Sequence, residues 1–425
     1  MNQKKQWGAI IVMFLLFAMI AFVTNLCSPM AVILKNQFGV SNVLAQVGNA
    51  ANFIAYLFMG IPAGMLVSKV GYKKTALIGL VVGIIGIAIQ WMSGQVGPDS
   101  AFVVYLIGAF IAGFTMAILN TVVNPMLNQL GGGGNKGNQL IQIGGVFNSS
   151  AAVLAYILMG ALIADATKAK IDDATPALMI AIAVFVIGFI VLFFTKIEEP
   201  EQAPVDTSLI SGALKYRHFT LGVLAIFLYM GVEVGVPTYM MQYLTALPEA
   251  GGMGMDAQIV GLIVAVYWFM MLIGRFVGGV VGGKVSARTL ITVVATACVL
   301  LVLAGMFSPV TTTVSVPGID WANLSVIWAQ IPIGMFFFLL VGLTTSVMWG
   351  GIFNLAVEGL GKYTAIASGI FMTMVVGGGI LVPLQGWIAD KTDYLTSYWV
   401  VLLCAGYILF YALVGSRPSK AAISK

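Results

Sequence analysis

The chain has 425 residues, 60% of them apolar and 8% charged, with a net charge of +5. Soluble domains carry about 25% charged residues, so these charges are too few to coat a water-facing surface; a soluble enzyme is excluded, and the high apolar content excludes disorder. With about 20 apolar residues per bilayer-crossing helix, and roughly 30–35 once its connection is added, this length accommodates about twelve spans.

In chain order, MNQKKQW is followed by an apolar run reaching toward Leu34. That is longer than the ~7–15 residues of a signal-peptide core, and it reads as a retained first helix. The predicted spans are 8–34, 44–68, 75–93, 101–128, 138–164, 176–195, 219–246, 257–283, 287–308, 326–357, 364–389 and 395–415. With the N-terminus in the cytoplasm, every Lys and Arg except Lys35, Lys168, Lys170 and Lys391 falls on the cytoplasmic side. The positive-inside rule therefore predicts an integral membrane protein with both termini cytoplasmic, seated directly in the lipid bilayer. The charge excess is explained by that asymmetry and is no nucleic-acid signature. The three cysteines, Cys27, Cys298 and Cys404, are scattered through apolar runs, and His218 is the single histidine. No metal site is expected from them.

The one long polar stretch, 196–218, carries charges and prolines and reads as a cytoplasmic linker between an N-terminal half, 1–195, and a C-terminal half, 219–425. The halves echo each other: GMLVSKVGYKKTALIG from Gly64 aligns with GGVVGGKVSARTLITV from Gly279, pairing Lys69 with Lys284 and Lys73 with Arg288. The predicted fold is all-α, with twelve transmembrane helices in two pseudo-symmetric six-helix halves and a binding site between them at mid-membrane.

That depth singles out Glu233, near the middle of the seventh span. An intramembrane acid is costly and marks function; burial favours its neutral form. Amides inside the spans form a second group: Asn25, Asn52, Asn120, Asn124, Gln142, Asn148, Gln242, Asn354 and Gln385. Each donates and accepts, as a sugar hydroxyl does, and none can face lipid unpaired. The alternative role for any one of them is interhelical hydrogen bonding, worth about 0.6 kcal/mol. Aromatics form a third group, with Tyr267 and Trp268 placed to close on the apolar face of a ring. Lys69, Lys73, Arg275, Lys284 and Arg288 are assigned to a cytoplasmic gate. No nucleophile–base pairing is present, so no enzyme activity and no catalytic residue are expected.

Several stretches resemble one branch of the major facilitator superfamily, the fucose/proton symporters and glucose/galactose permeases. They are IPAGMLVSKVGYKKTALIGL (61–80), NTVVNPMLNQLG (120–131), GGVFNSSAAV (144–153), FLYMGVEVG (227–235), YWFMMLIGRFVGG (267–279), IFNLAVEGLGKYTAIASG (352–369) and VVGGGILVPLQGWIAD (375–390). The resemblance implies the major facilitator fold, a bacterial inner (plasma) membrane location, a monomer, and a small neutral sugar as substrate. It also exposes departures: Ser28 stands near the family's span-one Asp, Asn120 at its span-four Glu, and Gly145 at its span-five Gln, whereas Asn25 and Asn148 match family asparagines. Both proton-handling acids are thus replaced, leaving Glu233 as the remaining mid-membrane acid. A shift that aligns Pro29 with Pro237 also places Asn25 on Glu233. The expected function is import of a hexose or deoxyhexose without a cofactor, coupled to H⁺ or Na⁺ through Glu233. An uncoupled sugar facilitator and an exporter of amphipathic compounds are the alternatives. The expected substrate-binding set is Asn25, Asn120, Asn124, Gln142, Asn148, Glu233, Tyr267, Trp268, Asn354 and Gln385.

Overall fold

In hydrocarbon a chain segment must satisfy its own N–H and C=O groups, and an α-helix does so without help from its neighbours. The computed structural model describes residues 6–132, 134–162, 168–199, 206–281, 285–320 and 325–418. Among these are 12 helices long and apolar enough to cross a membrane. They are α1 (Trp7–Phe38), α2 (Val47–Val70), α3 (Tyr72–Gln95), α4 (Ser100–Leu130), α5 (Gln139–Met159), α6 (Ile171–Phe194), α7 (Arg217–Thr245), α8 (Ala257–Val281), α9 (Ala287–Phe307), α10 (Ile333–Val357), α11 (Gly361–Lys391) and α12 (Thr396–Gly415). Large apolar side chains such as Ile187, Phe194, Phe276 and Leu403 stand exposed on the helix faces. That is the pattern of a bundle whose solvent is lipid.

Two spans are broken inside. α10 consists of Ile333–Thr345 and Met348–Val357. α11 consists of Thr364–Thr373, a tight turn at Met374–Val376, and Gly377–Lys391. Near the second break Gly377 lies so close to α7 that an added Cβ would run into the Phe227 carbonyl. Gly377→Ala is therefore expected to cost about 1–3 kcal/mol through overpacking against rigid backbone. Thermal unfolding of the detergent-solubilised protein checks this, and an unchanged midpoint would refute the close α7–α11 contact.

The tenth span begins later than the apolar pattern suggests. Residues 325–332 are not its first turns but a strand, β2 (Ser325–Pro332), paired antiparallel with β1 (Thr313–Asp320) from Thr313↔Pro332 to Asp320↔Ser325. The reason is local: SVIWAQI alternates exposed and more buried positions, the period of a strand. Gln330 Nε2 donates across the hairpin to Ser315 Oγ at 2.6 Å.

The first six spans meet the last six along two lines. α2 packs on α11, where Gly378 faces the Phe53 ring and Gly379 the Ala50 carbonyl. α5 packs on α8, with Gly145 against the Arg275 side chain and Gln142 beside Gly279. At one end of the bundle Lys35 Nζ donates to Asn42 Oδ1 at 2.7 Å and to the Tyr394 hydroxyl at 2.9 Å. Beside them the Asp390 carboxylate accepts from the N–H groups of Asn42 and Val43 at 3.0 and 3.1 Å. These contacts shut that end between the α1–α2 connection and the end of α11.

Candidate functional site

A cavity of about 100 Å³ lies where α1, α2, α4 and α5 face α7, α8, α10 and α11. At roughly 10–15 Å³ per water it has room for several water molecules. Its polar wall is Asn25, Asn120, Asn148, Glu233, Trp268 and Arg275, with Tyr56 and Tyr156; Phe17, Phe53, Met230 and Trp349 complete it.

The three amides are each anchored by a neighbour. Asn25 Nδ2 donates one turn back to the Ala21 carbonyl at 2.8 Å, leaving its oxygen for the cavity. Asn120 Nδ2 donates to the Tyr56 hydroxyl at 2.8 Å. Asn148 Nδ2 donates to the Phe17 carbonyl at 3.0 Å, tying α5 to α1. Trp268 is 6% exposed, and its Nε1–H is buried without a protein partner. An indole donor left unpaired in a buried wall is costly. The ring centroid of Trp268 lies 6.3 Å from that of Tyr156 and 5.3 Å from that of Tyr267.

The charged pair lies on the same wall. Arg275 Nη2 is 3.9 Å from Glu233 Oε1, and the two side chains are 9% and 13% exposed. Arg275 Nη1 donates to the Gly145 carbonyl (2.6 Å), Asn148 Oδ1 (3.0 Å) and Ser149 Oγ (2.9 Å), all on α5. Arg275, expected at a cytoplasmic gate, lines the central cavity.

Other expected site residues sit elsewhere. Tyr267 is a layer behind the wall, donating to the Glu233 carbonyl at 3.2 Å and sharing a 3.3 Å contact with Thr345 Oγ1. Asn124 donates to the Asn120 carbonyl at 3.1 Å and supports the wall without forming it. Gln142 is half-buried beside Gly279, Asn354 is exposed on α10, and Gln385 is fully buried at Ser397. None of these three reaches the cavity. Lys69 is exposed. Lys73 Nζ donates to the carbonyls of Phe193 (2.9 Å) and Thr195 (2.8 Å), tying the start of α3 to the end of α6. Arg288 likewise ties the start of α9 to the residue after α12, donating to Ser416 Oγ at 3.1 Å and its carbonyl at 3.2 Å. These two cations neutralise helix C-termini and do not gather with Arg275. Lys284 and the Ser28 side chain lie outside the described residues. Tyr56 and Tyr156 were not anticipated; a tyrosine in an apolar run, with its polar tip, was the available signal.

A model of the Major Facilitator Superfamily matches residues 13–383. The glucose/galactose transporter of Brucella abortus is 31% identical over 98% of this chain and 96% of its own length. The L-fucose-proton symporter of Escherichia coli is 23% identical over 95% of this chain and 92% of its own. Among solved structures, FucP in the outward conformation aligns with a TM-score of 0.70 at 22% identity, covering 96% of this chain and 98% of that one. The inward-open xylose transporter XylE from E. coli aligns at 0.71 with 14% identity, covering 97% of each.

Proposed function

The chain belongs to the Major Facilitator Superfamily, and from that footing we propose that it imports a neutral monosaccharide, a hexose or deoxyhexose, by alternating access around the central cavity. The observation that carries this is the composition of one wall: Asn25, Asn120, Asn148, Glu233 and Trp268. Amides that donate and accept suit hydroxyls that do the same. The Trp268 ring offers a flat apolar face to the C–H side of a pyranose. The names of the relatives support the substrate class.

The halves, 1–195 and 219–425, move as two bodies joined by the linker 196–218. The distribution of basic residues puts both termini in the cytoplasm. In that orientation the contacts of Lys35, Asn42, Asp390 and Tyr394 close the outer end. One chain encloses the whole cavity, so a monomer suffices. Glu233 carries the coupling H⁺ or Na⁺, because the wall holds no other acid among its described residues. An uncoupled facilitator is the second reading; the nearby Arg275 favours it by offering Glu233 a permanent cation. The polar wall argues against an exporter of amphipathic compounds.

The test is uptake of labelled D-glucose, D-galactose and L-fucose into proteoliposomes under imposed Na⁺ or pH gradients. Accumulation above the external concentration is expected for at least one sugar. Equilibration alone would establish the facilitator, and no uptake of any of the three would overturn the substrate class.

A further inference from the structure

Arg275 is over-committed. One nitrogen, Nη1, faces three acceptors on α5, although it carries only two hydrogens. Its neighbour Nη2 stands 3.9 Å from the Glu233 carboxylate, an ion-pair distance too long for a hydrogen bond. Among the described lining residues Arg275 alone is cationic. Among the described residues the other titratable groups around Glu233 are phenols: Tyr56 on α2, Tyr156 on α5, Tyr229 on α7 and Tyr267 on α8. A guanidinium stays charged, and charges interact strongly in a buried site. Its position therefore depends on whether Glu233 is charged. An ionised Glu233 draws Arg275 away from the neutral acceptors of α5, and a neutralised one leaves it to them.

The backbone is built for a close contact at this point. An added Cβ on Gly145 would lie 2.9 Å from Arg275 Cδ. Residues 142 and 279, each about one turn away, meet across the same seam between α5 and α8. We propose that Arg275 is a positioning residue that converts the charge on Glu233 into the tightness of the α5–α8 contact. With the cation on Glu233, Arg275 fastens α8 to α5 through Gly145, Asn148 and Ser149. With Glu233 ionised, it turns to the carboxylate and slackens that seam. This rests on the reading of Glu233 as the coupling acid, and it adds a route by which coupling reaches the interface between the halves without passing through the sugar.

A cysteine pair reads the seam directly. The Cβ of Gln142 lies 3.8 Å from a Cβ placed on Gly279, within the ~3.5–4.5 Å range of a disulfide. Gln142→Cys with Gly279→Cys is oxidised in proteoliposomes without sugar, with each single cysteine variant as control. Adding Glu233→Gln, a neutral stand-in for the loaded acid, is expected to raise the cross-linking rate several-fold. Adding Arg275→Gln is expected to lower it by roughly tenfold, the loss of charge-assisted hydrogen bonds, and to abolish its response to residue 233. Arg275→Lys keeps the charge but not the fork and is expected to leave the rate low. An equal rate with and without the Glu233→Gln substitution, in the presence of Arg275, overturns the proposal, and that comparison requires no change at Arg275. Because no sugar is present, absent uptake of D-glucose, D-galactose and L-fucose alike would count against the carrier reading alone, and a charge-insensitive seam against this one alone.

Discussion

Glu233→Gln is expected to abolish concentrative uptake, so that the internal sugar concentration rises only to the external one. The amide keeps the shape and a hydrogen-bonding tip, but it neither binds and releases a proton nor balances a cation. Sugar exchange between loaded compartments, which needs no net ion movement, is expected to fall less than accumulation does. The substitution also leaves Arg275 without its carboxylate, 3.9 Å away in the native chain. Stripping one partner from a buried ion pair costs about 3–5 kcal/mol; the long separation and the hydrogen bonds from Arg275 to α5 bring the expectation to the low end. Thermal unfolding measured beside uptake separates lost coupling from lost protein. Accumulation that persists in this variant at equal protein would remove Glu233 from the coupling step.

Asn148→Ala is expected to raise the KM for the transported sugar by about tenfold, with the protein still folded. One neutral hydrogen bond to a ligand is worth roughly 0.5–1.5 kcal/mol, and this side chain has further duties. Its Nδ2 donates to the Phe17 carbonyl and its Oδ1 accepts from Arg275. Removing it frees Arg275 to approach Glu233, so its effect and that of Glu233→Gln should not add, as holds for side chains with a common partner. Equilibrium binding of the labelled sugar to purified variants checks both statements. An unaltered affinity in Asn148→Ala would exclude it from the pocket, and strict additivity would deny the shared link through Arg275.

The spans were legible because each depends on one segment alone. A helix in hydrocarbon closes its own hydrogen bonds, so a long apolar run is enough to announce it. The largest boundary difference among the described residues, at 326–332, lies where an apolar stretch carries a two-residue alternation and pairs with Thr313–Asp320. Total hydropathy hides that period.

Side-chain placement was legible only in part. Asn25, Asn120, Asn148, Glu233 and Trp268 reach one cavity, whereas Asn354 and Gln385, equally polar and equally embedded in apolar sequence, do not. The residues differ in which way their helix face turns, and helix rotation is set by packing against neighbours.

Arg275 makes the distinction sharpest. Counted along α8 it falls near the basic end of the span. A helical side chain, however, leans toward the N-terminus of its own helix. In α8 that direction leads back into the bundle, where Arg275 meets Glu233 and the acceptors of α5. The sequence by itself determined how many times the chain crosses and which residue types are available at mid-depth, because burial in lipid is a property of each segment. Only the tertiary structure decided which of those residues share a cavity and which cation stands among them, because that depends on the rotation and mutual contact of helices far apart in the chain.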